Sequence, residues 1–241
     1  MNDSQSAHNA DAFGARDYDL EFPSHRHRAR LLGGVLRRLG PFARGADVGC
    51  FGGAAAGTYV AGGIAELHGF DIAEASLDAC RSRGHQAWHW DASVEPFPGE
   101  CGTYDVVIAS EMIEHVDDTE HALREFRAAL RPHGLLLLTT PNLAFWYSRL
   151  RLLAGRPPLG APGVARGRAT DAGLDPLHAR IGTLSEWRGL IESCGFEILE
   201  VAATSYLQAD TYPRQWLARL DRWISRRPAL GGNLVIVARA V

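Results

Sequence analysis

Residues 44–71, RGADVGCFGGAAAGTYVAGGIAELHGFD, constrain the fold more than any other stretch of the chain. A short apolar run ends in Asp47-Val48-Gly49, small residues from Cys50 to Gly53 make a turn, an alanine-rich segment follows, and a second apolar run closes on Asp71. The order strand, glycine-bearing loop, helix, strand, acid is that of a β-α-β unit. In such a unit the loop lets bare backbone approach a ligand, and the helix behind it offers unsatisfied N–H groups and a partly positive end. An acid closing the second strand is placed to accept hydrogen bonds from ribose hydroxyls. The stretch outlines a site for an adenosine-bearing ligand.

The rest of the chain supports that unit. Leu31, Leu32, Val35, Leu36 and Leu39 predict a helix over residues 24–39, whose leading turn His25-Arg26-His27-Arg28 is either a solvated face or a cover for the ligand site. Residues 75–83 read as a helix and 87–90 as a short strand ending at Asp91. The β-branched run in 104–109 predicts a buried strand. Residues 118–130 predict a helix with Ala122, Leu123, Phe126, Ala129 and Leu130 on one face, a capping box between Asp117 and Glu120, and a stop at Pro132 and Gly134. Residues 135–140 predict a further strand, 143–154 and 183–194 helices, and 196–202 and 233–241 two final strands. Such alternation predicts a Rossmann-like, doubly wound α/β fold with a largely parallel sheet. Ligands on these sheets bind beyond the carboxyl ends of the strands. Asp47, Gly49, Asp71, Asp91, Ser110 to His115, Pro141 and Asn142 all follow strand ends, so they converge on one rim.

Composition removes several alternatives. With 241 residues, 46% hydrophobic and 22% charged, the chain can bury a sizeable core in one domain. All 25 basic residues are arginine, yet the net charge is −3, so no global positive field exists to hold nucleic acid. Cys50, Cys80, Cys101 and Cys194 form no CxxC pair and fit a reducing cytoplasm. The polar start carries no signal-peptide pattern, and no apolar stretch reaches 18 residues. The expected organisation is a flexible tail over residues 1–17 and a single domain over 18–241, with a lid or insertion at 143–182 and a helical insertion at 205–230. Within the first insertion, residues 155–173 hold five Gly, three Pro and three Arg, the composition of a lid or binding loop. Phe145, Trp146 and Tyr147 beside it suggest an apolar pocket wall, or core. In the second, residues 214–226 place Trp216, Leu217, Leu220, Trp223 and Ile224 on a stripe flanked by arginines. That stripe can pack on its own domain, on a second subunit in a homodimer, or peripherally on a membrane.

The ordered motifs resemble the class I S-adenosylmethionine-dependent methyltransferases, in particular the bacterial branch of ubiquinone-biosynthesis O-methyltransferases and its orphan relatives. Asp47-Val48-Gly49-Cys50-Phe51-Gly52-Gly53 looks like the first motif, DVGCGxG. Gly69-Phe70-Asp71-Ile72 is similar to the second, and Trp90-Asp91-Ala92 to the adenine-side acid. Glu111-Met112-Ile113-Glu114-His115-Val116 looks like the stretch after strand four, and Leu130-Arg131-Pro132-His133-Gly134-Leu135 like the entry to strand five. Thr140-Pro141-Asn142 and His178-Ala179-Arg180 are similar to the orphan relatives.

This resemblance implies seven strands with the last antiparallel, and S-adenosyl-L-methionine as cofactor. It implies O-methylation of a small-molecule, sugar or lipid-linked acceptor, with N- or C-methylation, or a non-catalytic binding protein on the same fold, as alternatives. It further implies that Asp47 lies near the cofactor's ammonium group and Gly49 allows backbone approach. Cys50, Phe51 and Gly53 would complete the loop, Asp71 and Ile72 flank the ribose, Asp91 and Ala92 meet the adenine, and Ser110 lines the site. Phe51 departs from the pattern, since a side chain there needs room and resists positive φ. Glu111 and His115, spaced i,i+4, would share a helical face beside the transferred methyl. An unperturbed imidazole, with pKa about 6.5, suits His115 to removing a proton from a hydroxyl, and His178 is the second candidate. The sequence gives no basis for a metal site.

Overall fold

The computed structural model describes residues 5–14, 23–162, 173–206 and 215–241. Seven strands form one sheet in the order β3-β2-β1-β4-β5-β7-β6, with β1 Phe42–Val48, β2 Ile64–Asp71, β3 Gln86–His89, β4 Tyr104–Ser110, β5 Leu130–Pro141, β6 Phe196–Thr204 and β7 Asn233–Ala240. All pairings are parallel except those of β7, which runs antiparallel to β5 and to β6. The expected mixed sheet with its reversed last strand is the one observed. From β1 the chain winds outward through β2 and β3, then returns to the other side of β1 for β4 and β5. The strand order therefore reverses between β1 and β4, and a crevice opens there at the strand ends.

Both faces of the central strands are apolar because helices cover both. In β4, Val106 and Ile108 join Leu32, Leu36, Tyr59 and Leu137 on one side, and Val107 and Ala109 join Leu123, Phe126, Leu136 and Leu138 on the other. The β period of two sends alternate residues to opposite layers, and the continuous run VVIA fills both. Helix α2 (Pro23–Leu39) buries Leu32 and Leu36 completely, and α5 (Thr119–Ala129) does the same with Leu123 and Phe126. Each such side chain contributes about 1.5–3 kcal/mol of burial.

Helix ends follow local chemistry, with one shift from the sequence reading. Asp118, not Asp117, caps α5, its carboxylate accepting from His121 N at 2.9 Å, while Asp117 N donates to Ser93 Oγ. A complete capping box instead opens α7 (Leu184–Ser193), where Thr183 and Glu186 satisfy each other's backbone N–H. The helix after the glycine loop is shorter than its alanine content suggests. α3 spans only Ala56–Val60, because Gly62 and Gly63 follow it.

The N-terminal residues differ from the expected flexible tail. Gln5–Gly14 is helix α1, and Asn9 is buried against the body of the domain, its amide donating to the carbonyls of His115 and Leu177. Two tertiary hydrogen bonds and the edge of Phe13 on the His115 ring hold a segment whose composition alone would not. α4 is Glu74–Ser82, α6 is Trp146–Leu153 and α8 is Gln215–Ile224. Of the loop at 155–173, residues 163–172 lie outside the described residues.

Candidate functional site

A cavity of about 840 Å³ opens at the β1/β4 crevice. It is large enough for a nucleoside-sized ligand and a second small molecule. Asp47, Gly49, Cys50, Phe51, Asp71, Ile72, Asp91, Ala92, Ser110, Glu111, His115 and His178 all line it. Gly53 does not. Its φ is +73° and a Cβ there would lie 3.1 Å from Cys80 Sγ, so that glycine serves the packing of the turn on α4. Nor do Phe145, Trp146 and Tyr147 contribute. Phe145 is core, and the Trp146 indole donates to Asp221 Oδ1 at 2.7 Å.

The glycine loop is tight. Gly49 has φ +69°, and a Cβ on it would sit 2.7 Å from Met112 Cβ, so only glycine lets β1 turn beneath the residues after β4. Phe51 does adopt the strained region, at φ +45°. Asp71 holds it there, because Asp71 Oδ2 accepts from Phe51 N at 3.1 Å and from Ser76 Oγ at 2.7 Å, while Oδ1 accepts from Ala73 N. The Phe51 ring lines the cavity without closing it. The acid expected to accept ribose hydroxyls thus also fixes the loop, and its hydrogen bond from Phe51 N offsets part of the roughly 1–3 kcal/mol that the backbone strain costs.

Asp47 is buried, and burial pushes its carboxyl well above the usual carboxylate range, with Cys80 and Asp71 nearby adding to the rise. Burial also raises Asp71, against the pull of its hydrogen bonds. Buried Asp47 and half-buried Asp71, neighbours that face one cavity, favour a ligand that brings a positive group to them. Asp91 sits beyond β3 with Oδ1 accepting from Ser93 N at 2.9 Å, and buried Ala92 follows it.

The opposite wall holds the titratable groups. Glu111 and His115 do not share a helical face as expected. Glu111 has φ +54° at the end of β4, and only Ile113–His115 forms a single 3-10 turn. Glu111 instead reaches toward β7 and α2. Oε2 accepts from Asn233 Nδ2 at 2.9 Å and lies 3.9 Å from Arg28 Nη1, while the buried Oε1 has no partner among the described residues. Arg26, His27 and Arg28 line the cavity, Arg26 and His27 while remaining exposed to solvent. His115 faces the other way. Its Nδ1 is 3.0 Å from the Leu177 carbonyl, so Nδ1 carries a proton and donates to that oxygen. Its ring meets that of His178 at 4.9 Å. His178 Nδ1 contacts the Gly160 carbonyl and Nε2 lies 3.6 Å from Asp175 Oδ2.

The sequence reading placed Glu114 in the motif after strand four but gave it no role. It is 1% exposed, burial and the charge of Glu111 push its carboxyl well above the usual range, and Oε2 has no partner among the described residues. The spacing of two glutamates three apart in Glu111-Met112-Ile113-Glu114 was the available signal, but nothing local said which would be buried. Its donor atom, with those of His115 and His178, lies within 4.8 Å of the others, a grouping that can hold a metal ion or share a proton.

Comparison with known proteins fits this geometry. Residues 46–138 match the family model described as a methyltransferase domain. A ubiquinone biosynthesis O-methyltransferase of Sodalis glossinidius is 34% identical over 142 residues, covering 55% of this chain and 57% of the relative. The chain thus spans little more than half the length of the curated relatives it matches. Among solved structures, the N-methyltransferase NodS of Bradyrhizobium japonicum, in complex with S-adenosyl-L-homocysteine, superposes with a TM-score of 0.62 at 14% identity, covering 98% of this chain and 99% of that one. A methyltransferase of Mesorhizobium loti gives 0.57 at 20% identity, covering 85% and 95%. At such identities the likeness is one of fold.

Proposed function

We propose that this chain is a class I S-adenosylmethionine-dependent methyltransferase, that its cavity binds S-adenosyl-L-methionine and that it methylates an oxygen of a small-molecule, sugar or lipid-linked acceptor. The observation that carries the reading is the pair of carboxylates, buried Asp47 and half-buried Asp71, both lining one cavity beneath a glycine turn. A ligand with an ammonium group and ribose hydroxyls satisfies them together.

Asp47 would hold the ammonium group, Asp71 Oδ1 the ribose hydroxyls, and Asp91 with the Ala92 N–H the adenine. When bound, the cofactor supplies an electrophilic methyl on a sulfonium. The chain's main task is then positioning, which can be worth about 7–11 kcal/mol. With Nδ1 donating to the Leu177 carbonyl, His115 Nε2 is the ring nitrogen that would accept the proton of the acceptor hydroxyl. The rings of His178 and Phe13 pack on the imidazole, and α1 with residues 173–180 would exclude water. Two backbone N–H groups from that segment, Ala179 and Arg180, donate to the Glu114 carbonyl and tie the cover to the turn that carries His115.

Calorimetric titration with S-adenosyl-L-methionine tests the cofactor. No heat up to millimolar ligand would remove the proposal. Incubation with methyl-labelled cofactor and cell extract, followed by identification of the labelled product, tests the acceptor. Label on nitrogen or carbon would refute the oxygen assignment.

A further inference from the structure

Eleven large hydrophobic side chains are exposed among the described residues, and five of them lie on two short helices, Leu150, Leu152 and Leu153 on α6 and Trp216 and Trp223 on α8. Their placement answers where the tryptophan stripe packs. On α8 the buried residues are Ala218 and Asp221, followed by Ser225 just past its end. At 100° per residue these point one way, and Trp216 and Trp223 point almost directly opposite. They are 61% and 63% exposed, and Leu153 is 86% exposed. The expectation that the stripe could pack on its own domain fails for both tryptophans. Leu217, Leu220 and Ile224 are half-buried on the flanks, and the helix docks through the carboxylate of Asp221, which accepts from Trp146 Nε1, Ser205 Oγ and Ser225 Oγ.

Charge completes the pattern. Residues 143–162 and 215–232 together carry seven arginines, Arg149, Arg151, Arg156, Arg219, Arg222, Arg226 and Arg227, and one acid, the buried Asp221, in a chain whose net charge is −3. We propose that α6 and α8 form a surface that seats on an anionic lipid bilayer, with Trp216, Trp223 and Leu153 entering the headgroup region and the arginines meeting lipid phosphates. Tryptophan and leucine on the outer face beside arginine are the side chains that partition into such an interface. A second copy of this chain fits less well, because a two-fold contact would set this positive face against itself. No described helix is long and apolar enough to cross a membrane, so the contact is with the surface.

The patch is joined to the cavity mouth. Ser205, which lines the cavity, donates to Asp221 of α8, and α6 begins five residues after the cavity-lining Pro141. Seating would bring the wall of the cavity that holds Ser205 toward the bilayer. The inference does not rest on the methyltransferase reading, since it concerns a face outside the cavity.

Cosedimentation with vesicles of phosphatidylglycerol and phosphatidylcholine, against vesicles of phosphatidylcholine alone, tests it without cofactor. Binding to the anionic vesicles only is expected, with a blue shift of tryptophan emission and release at about 0.5 M salt, where charges are screened within a few ångström. Trp216→Ala with Trp223→Ala should weaken partitioning by about tenfold or more, and Arg219→Glu with Arg222→Glu should do the same. Unchanged melting temperatures show that the variants remain folded. No vesicle binding, equal binding to both vesicle types, or binding unaffected by either pair of substitutions overturns the proposal. So does a dimer in sedimentation velocity that the tryptophan pair abolishes while vesicles bind nothing.

Discussion

Asp47→Asn should move stability and binding in opposite directions. Every influence on the Asp47 carboxyl in the folded chain raises its pKa above the ordinary 3.8, with burial the largest and Cys80 and Asp71 following. A group raised in this way contributes stability that is complete below its unfolded pKa and is lost as pH rises through its folded pKa. Above that folded pKa, the ionised carboxylate costs the empty protein about 1.4 kcal/mol for each unit of the shift. Asparagine keeps the shape and removes the charge. For a chain of this size each kcal/mol recovered is worth about 2–4 °C in Tm, so Asp47→Asn should melt higher than the wild type near pH 8, with the gap closing toward about pH 4. The bound ammonium group is what justifies the charge. Without it a charge-assisted hydrogen bond of about 1.5–3 kcal/mol is lost, and S-adenosyl-L-methionine should bind about 10- to 100-fold more weakly. Differential scanning fluorimetry across pH, paired with calorimetry, reads both. Wild-type binding should also tighten as pH rises and release a proton. A variant that melts lower near pH 8, or one that keeps the wild-type Kd, would refute the assignment of Asp47 to a cation.

Other substitutions probe separate parts of the site. His115→Ala should lower kcat by about 10²- to 10⁴-fold with cofactor affinity unchanged, and loss of cofactor binding instead would make the histidine structural. Activity that survives exhaustive chelation is expected if Glu114, His115 and His178 share a proton, whereas loss restored by one divalent ion would assign them to a metal. Gly49→Ala drives a Cβ into Met112 at positive φ and should cost roughly 1–3 kcal/mol along with cofactor affinity; a wild-type Tm and Kd would show that the turn is looser than described. Thr183→Ala breaks the capping box of α7 and should lower stability by about 1 kcal/mol in chemical denaturation, leaving binding intact.

Much of this protein could be read from residues alone, and the boundary of that reading has a physical cause. Apolar periodicity fixed seven strands and the helices between them, because burial of one face is a local demand that each segment states for itself. The acids at the ends of β1, β2 and β3 marked a rim, since parallel topology brings all carboxyl ends to the same side. Contacts between distant segments were beyond it. Only the folded chain brings His178 to His115 across 63 positions of sequence, buries Glu114 beside them, and clamps α1 over the turn through Asn9. Asp71 could be placed at a strand end from its motif, but its hold on Phe51 N appears only once the loop has turned back over β2. For α8 the amphipathic stripe was legible, while the choice of inward face was made by Asp221, a lone carboxylate whose partners lie on α6 and beyond β6. Local pattern sets what each element can bury, and long-range packing decides which of those options the molecule uses.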